Sequence, residues 1–280
     1  MLAYRHAFHA GNHADVLKHV VLIDVLSRMV AKDKGFVYID THAGAGSYDL
    51  SERMAQRLAE YESGIGALWD VKNAPAAVTA YLDQVRGLNP VEGLRSYPGS
   101  PLLAAQYCRP QDSMRLFDLH PTDYRALDAL LGKRDGVRVT LGDGFAGLKS
   151  LLPPPTRRGV VLIDPSYELD QDYMQLLVAL RDAVTRFATG VYLVWYPQLQ
   201  SLESVQLPRR LKALAPAGWL HAQLTVAGPS DDGYGLRGSG MFVLNPPYGL
   251  QSSLQTALPW LAKRLGTNGA GKFLLEAHTT

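Results

Sequence analysis

The 280-residue chain predicts an α/β fold: a mostly parallel sheet of seven strands whose last strand runs antiparallel, with a small helical insertion after the first strand. Three observations predict it. Short, β-leaning apolar runs without polar breaks alternate with stretches of helical periodicity, the pattern of βαβ units whose strands are buried on both faces. The first such run, Phe36-Val37-Tyr38-Ile39, leads directly into Asp40-Thr41-His42-Ala43-Gly44-Ala45-Gly46. That places an acid and two glycines where open α/β sheets bind ligands. Finally, two strand-like runs at 219–226 and 241–244 follow one another with no helix between them, so the last must turn back.

Taken in order, residues 4–19 open the chain with Tyr4-Arg5-His6-Ala7-Phe8-His9 and hold four of the eight histidines: His6, His9, His13 and His19. No H-E-x-x-H pair or carboxylate-rich partner segment accompanies them, so no metal site is expected. Two readings stay open. The segment is a polar arm entering a helix, or a substrate-facing arm whose Tyr and His rings stack on bases while Arg5 and Lys18 meet phosphate. Apolar residues then recur at helical spacing over 14–31, with Asn12 or His13 as cap.

After the 36–39 strand, glycines at alternate positions (Gly44, Gly46) let the backbone turn tightly and approach a ligand. The third glycine of a dinucleotide fingerprint is missing, which points to an adenosyl ligand without phosphates. Residues 51–90 carry two amphipathic helices, 51–61 and 75–85, and no strand. They are expected to form a helical insertion, a lid on the substrate side or an inert decoration, set into a domain made of 1–50 and 91–280.

Ser100 and Pro101 suit the N-cap and first position of a helix to about 107. Strands at 114–117 and 137–141 end at Asp118 and at Asp143-Gly144. Each acid could cap the following helix. Together, beyond a glycine loop, they suit a ribose acceptor (Asp118) and an acceptor from an adenine amine (Asp143).

The next strand, 160–163, carries Asp164-Pro165-Ser166-Tyr167 at its end. This is an Asp-Pro turn, or a grip on a flat amino-bearing ring in which Asp164 and a backbone carbonyl accept from the NH2 and Tyr167 stacks. A helix over 173–187 and a strand over 190–195 follow. The basic run 208–212 reads as a solvated helix face, and the glycine-rich loop 228–240 as mobile. A helix over 254–265 precedes an irregular tail.

Composition bounds the rest. A net charge of +2 with 47% hydrophobic residues describes an ordinary globular chain, so any basic surface must be local. A single cysteine, Cys108, excludes an intrachain disulfide and a multi-cysteine zinc site, and suits a reducing, cytoplasmic setting. No run approaches the length of a membrane span.

Seven blocks carry a resemblance: YRHAFHAGNHADVLKH at 4–19, DTHAGAG at 40–46, YPGSP at 97–101, RRG at 157–159, RFATG at 186–190, WYP at 195–197 and NPP at 245–247. With them, nearly the whole chain resembles a class I (Rossmann-like) S-adenosylmethionine-dependent methyltransferase, and more narrowly the bacterial 23S rRNA adenine-N6 methyltransferase family, RlmJ. The resemblance implies S-adenosyl-L-methionine as cofactor, held by Lys18, His19, His42, Ser100, Asp118, Asp143, Gly144 and Asp164. It implies catalysis by Asp164 with Pro165 and Tyr167, and an RNA-facing arm of Tyr4, His6 and His9. The expected partner is protein-free 23S rRNA or an early assembly intermediate, with neither membrane nor DNA, and the expected state is a monomer. Two positions depart from the family pattern: Ser166 replaces a second proline, and Asp118 replaces a glutamate. The alternatives are a non-catalytic rRNA-binding module and an adenine-N6 methyltransferase for another nucleic acid. A literal N-P-P-Y at Asn245 to Tyr248 competes with Asp164 for the catalytic role, but it follows the antiparallel strand, whose end points away from the ligand edge.

Overall fold

The computed structural model describes residues 5–91, 93–215, 217–228 and 236–279. Helix α1 (His13–Val30) starts where Asn12 accepts from the backbone N–H groups of Ala14 and Asp15, the expected cap. It is buried around nearly its whole circumference and packs on the sheet, which explains its run of Val, Leu and Ile with only a modest polar stripe. Strand β1 (Val37–Asp40) follows, then a short strand β2 (Ser47–Asp49). The 51–90 segment forms α2 (Arg53–Leu58), α3 (Glu60–Ser63) and α4 (Ala76–Gly87). Pro75 sits at the N-cap of α4, one residue earlier than its expected first helical position.

Strand β3 (Ser96–Pro98) pairs antiparallel with β2, Tyr48 opposite Tyr97, and so ties the glycine loop to the entry of α5 (Ser100–Tyr107). The chain then alternates: β4 (Ser113–Asp118), α6 (Pro121–Leu131), β5 (Val137–Leu141), α7 (Gly144–Leu151), β6 (Gly159–Ile163), α8 (Asp170–Arg186), β7 (Val191–Pro197) and α9 (Leu202–Lys212). It ends in β8 (Gly218–Thr225), β9 (Gly238–Leu244), α10 (Leu250–Leu265) and β10 (Lys272–Thr279).

The main sheet has eight strands in the order β10-β8-β9-β7-β6-β1-β4-β5. The expected count of seven is corrected by β10. Its Lys-Phe-Leu-Leu-Glu-Ala-His-Thr lacks the clean alternation of a half-buried strand because it lies on an edge, antiparallel to β8, with Glu276 accepting from Lys212 at 2.7 Å. Two strands run against the others: β9, between β7 and β8, and the edge strand β10. Part of the expected mobile loop, residues 229–235, lies outside the described residues.

One core fills the sheet face covered by α1, α4, α5 and α10; the other fills the face covered by α7, α8 and α9. Between them β6 is buried at every position, and each of its large apolar side chains contributes roughly 1.5–3 kcal/mol. This double burial fixes where the strand ends, and therefore where Asp164 stands. Among the described residues no helix is long and apolar enough to cross a membrane.

Candidate active site

Strands β4, β1 and β6 lie side by side in parallel, so Asp118, Asp40 and Asp164 come out along one edge of the sheet. A cleft opens there, lined by His6, Lys18, His19, His42, Ser100, Asp118, Asp164, Pro165 and Ser166 among others.

Asp118 closes β4 with both oxygens engaged: Oδ2 accepts from Gly44 N at 2.8 Å and Oδ1 from His120 N at 2.7 Å. The carboxylate is thereby aimed into the cleft with lone pairs to spare, as a ribose acceptor must be. The glycine loop approaches this closely because Gly44 and Gly46 take left-handed φ of 62° and 80°. Gly46 O in turn accepts from Gly99 N at 2.9 Å.

Ser100 does not cap its helix. The N-cap is Gly99, and the Ser100 hydroxyl donates instead to Asp40 Oδ2 at 2.7 Å, beside the Tyr38 hydroxyl at 2.8 Å. Burial pushes the Asp40 carboxyl up to about 6. His19 is fully buried; its Nδ1 meets the Tyr97 hydroxyl at 2.8 Å, while its Nε2 has no hydrogen-bond partner among the described residues. A buried nitrogen left open on a cleft wall is a place for a ligand atom.

Two expected cofactor residues are not on the cleft wall. Asp143 caps α7, accepting from Phe145 N at 2.8 Å, and stands outside the lining. Gly144 is outside it as well. A Cβ at Gly144 would lie 2.2 Å from Thr41 O, so this glycine lets α7 press against the loop after β1. The His42 ring meets Phe145 of α7 edge-on at 5.0 Å, and burial pushes its imidazole down to about 4.

Asp164 and Lys18 are 146 residues apart in sequence and form a 2.6 Å ion pair, Lys18 Nζ donating to Asp164 Oδ2. Lys18 also pairs with Asp15 Oδ1 at 2.8 Å. Asp15 Oδ2 then takes Gly11 N and His6 Nε2, both at 2.9 Å. Asp15 is 1% exposed, and its role was not legible in the sequence beyond a place in the first helical turn. Burial works against its charge, yet the charges of His6 and Lys18 hold it well below the usual carboxylate range. Lys18 is likewise opposed by burial but held well above the usual lysine range by Asp15 and Asp164. One chain of contacts thus joins His6 of the arm to Asp164.

His9 takes a different partner, Glu60 of α3 at 3.0 Å, which also accepts from Asn12 Nδ2 at 2.9 Å. That hydrogen bond raises the His9 imidazole above its ordinary value against the opposing effect of burial. The insertion closes on the arm again where Ile65 N donates to Gly11 O at 2.9 Å. Tyr4 lies outside the described residues.

The expectation that the Tyr167 ring stacks on a base is not met in this conformation. Tyr167 is 6% exposed, its hydroxyl donates to Trp195 O at 2.6 Å, and its ring packs on Tyr173 at 4.6 Å. It sits at φ 54°, an uncommon conformation for a bulky residue, and these contacts hold it there. Tyr167 therefore fastens the far end of the Asp164-Pro165-Ser166 turn, and Ser166 stands on the cleft wall. Asn245 to Tyr248 lies at the opposite edge of the sheet, where Asn245 Nδ2 donates to Ala188 O and Gly190 O, and so takes no part in the cleft.

The buried imidazoles carry a stability prediction. Burial pushes His19 down to about 3, and His42 and His221 down to about 4. Below about pH 6.5 the unfolded chain protonates at these positions and the folded chain does not. Their contribution to stability is complete above that pH and is lost toward pH 4, at up to about 1.4 kcal/mol per pH unit for each histidine. Asp40, raised to about 6, has the opposite sign: its contribution is present at low pH and lost as pH rises through 6. Three histidines outweigh one carboxylate, so urea midpoints should fall steadily from pH 6.5 to 4.5. A flat or rising midpoint would contradict this burial.

The comparisons with known proteins agree on one family. The family described as "Ribosomal RNA large subunit methyltransferase D, RlmJ" matches residues 33–277. The chain is similar to "Ribosomal RNA large subunit methyltransferase J" of Escherichia coli (strain K12), 44% identical over 97% of this chain and 96% of that protein. It is also similar to the protein of the same description from Haemophilus influenzae, 43% identical over 99% and 98%. Among solved structures, protein LPL1258 from Legionella pneumophila superposes with a TM-score of 0.90 at 34% identity, covering 97% of this chain and 99% of that one.

Proposed function

This chain belongs to the ribosomal RNA large subunit methyltransferase J family, and from that premise we propose that it methylates the N6 amine of an adenine in protein-free 23S rRNA. The observation that carries the proposal is the Asp164 carboxylate at the ligand edge of the sheet, with one oxygen held by Lys18 at 2.6 Å and the Asp118 cradle across the same cleft.

S-adenosyl-L-methionine is the methyl donor, and its sulfonium supplies an already activated methyl group. The residues present fit it. Asp118 would take the ribose hydroxyls, the Gly44 loop gives room for the adenosyl group, and the open Nε2 of His19 offers a polar contact. Lys18, His42 and Ser100 complete the wall, Ser100 by holding Asp40 in place. Asp143 and Gly144 stand at the start of α7, off this lining, and Asp143 would accept from the adenine amine.

The target amine is a weak nucleophile because its lone pair is conjugated into the ring. Asp164 Oδ1, with the Pro165 carbonyl, would accept the two N–H hydrogens and favour a tetrahedral nitrogen as positive charge grows there. Lys18 holds Oδ2, which fixes the plane of the carboxylate and leaves Oδ1 to the substrate. Asp164 would then take the proton released from nitrogen. Positioning supplies much of the acceleration, since the donor needs no activation.

The arm residues His6 and His9, with Tyr4, would meet the RNA around the adenine, which must leave its stack to reach the cleft. Residues 51–90 are read as an insertion subdomain that seats this arm through Glu60 and Ile65. Incubating the full chain with labelled S-adenosyl-L-methionine and, separately, protein-free 23S rRNA, duplex DNA and a protein mixture tests the substrate class. Label should enter the rRNA alone; label in DNA or protein, or none in rRNA, would refute the proposal.

A further inference from the structure

Three of the sequence blocks that the cleft does not use meet at the opposite edge of the sheet. The Asn245 side chain of the N-P-P block donates to the backbone of the 186–190 block, at Ala188 O and Gly190 O, with 2.7 and 2.6 Å separations. Arg158 of the R-R-G block donates to the carbonyls of Met29, at 2.8 Å, and Lys34. Arg28, anchored behind by Asp24 at 2.8 Å, donates to Tyr248 O at 2.6 Å and Gly249 O at 3.0 Å. Gly249 has φ 82°, and a Cβ there would lie 2.5 Å from Arg28 Nη1, so only glycine lets the bracket close.

The bracket ties down the loop backbone at Tyr248 and Gly249, yet the Tyr248 side chain that the loop carries is 99% exposed. A hollow beside it is lined by Arg28, Lys32, Arg157 and Arg158, with no acidic residue in its lining among the described residues. Arg157 and Lys32 are exposed, and no hydrogen bond or ion pair engages either side chain among the described residues. A solvent-facing aromatic ring on a loop tied down at its backbone, next to free cations, suits a base stacked on the ring with its phosphates over the cations.

We propose that this edge is a second RNA-binding surface, in which an unpaired base stacks on Tyr248 and neighbouring phosphates meet Lys32 and Arg157. This rests on the reading of the chain as an rRNA methyltransferase and extends it to how a large substrate is held. Strand β6 separates the surface from Asp164 by five residues, about 16 Å, so the surface serves no small ligand of the cleft. A folded polynucleotide can reach both.

The test measures binding of the full chain to protein-free 23S rRNA over a range of KCl concentrations, for wild type, Tyr248→Ala and the double variant Lys32→Ala/Arg157→Ala. Tyr248→Ala should weaken RNA binding about tenfold through lost stacking. The double variant should lower the salt slope by about 1.5, the share of two phosphate contacts. Affinity for S-adenosyl-L-methionine and turnover at saturating RNA should match wild type in both. RNA affinities and salt slopes equal to wild type would overturn this surface while leaving the proposed function intact, provided wild type binds and methylates. A wild type that neither binds nor methylates RNA would overturn both. Unchanged binding to protein-free RNA with weakened binding to an early large-subunit particle would assign the surface to a protein partner, and overturn the proposal.

Discussion

Replacing Asp164 by Asn should lower turnover by about 10²–10⁴-fold while leaving the affinity for S-adenosyl-L-methionine within a few-fold of wild type. The substitution keeps the shape of the side chain but not its charge. Lys18 keeps Asp15 at 2.8 Å, so the ammonium is not stranded and the turn should hold. If the amide oxygen stays on Lys18, its NH2 faces the substrate amine, donor against donor, and the nitrogen lone pair loses the acceptor that orients it. If the amide flips, Lys18 meets an NH2 instead, and the group is pushed out of line. Either way the group that balances charge growing on nitrogen is gone, and that loss is felt in the transition state more than in binding. Single-turnover methyl transfer alongside equilibrium cofactor binding separates the two. Near-normal turnover with normal cofactor binding would remove Asp164 from the chemistry.

The second large effect is expected at Asp15. Asp15→Asn should destabilise the fold by about 3 kcal/mol, because it strips one of two carboxylates from a buried ammonium and also weakens the charge-assisted bonds that Asp15 Oδ2 accepts from His6 and Gly11 N. For a chain of this size that is a fall in melting temperature on the order of 6–12 °C. The same change should lower turnover, since Asp15 Oδ1 helps to set the Lys18 ammonium against Asp164 and Asp15 Oδ2 holds His6. A merely structural Asp15 would show the thermal loss with a normal turnover number per folded molecule. The positioning account requires both, measured at a temperature where the variant is fully folded. Asp15→Glu, which retains the charge at a shifted position, should recover most of the stability and only part of the turnover.

What could be read from the sequence follows the distance over which each feature is encoded. The Asn12 cap, the strand at 137–141 and the acid-glycine loop after β1 are local, and their residues dictate them directly. The antiparallel turn of β9 followed from a missing helix, and it correctly put Asn245 to Tyr248 away from the cleft. The strand β10 escaped because an edge strand with Lys272, Glu276 and His278 does not show the apolar pattern of an inner one. Asp15 escaped because His6 comes from a turn before it, Lys18 from one helical turn on, and the second partner of Lys18, Asp164, from a strand end far along the chain. Ser100 reads as a cap in isolation; only the neighbouring β1 supplies Asp40 as its acceptor. Tyr167 reads as a stacking ring until α8 and β7 supply Tyr173 and the Trp195 carbonyl that bury it. Residue types named the chemistry available at the sheet edge, and packing decided which groups face the cleft.

On the proposed function, the Asp164 edge methylates N6 of an adenine in rRNA. The most direct test of this is to digest protein-free 23S rRNA after reaction with labelled S-adenosyl-L-methionine and locate the label on the nucleoside, for wild type and Asp164→Ala. Label confined to N6-methyladenosine at one position with wild type, and absent with the variant while cofactor binding persists, is the predicted result. Label on another base or atom, or equal labelling by Asp164→Ala, would contradict it.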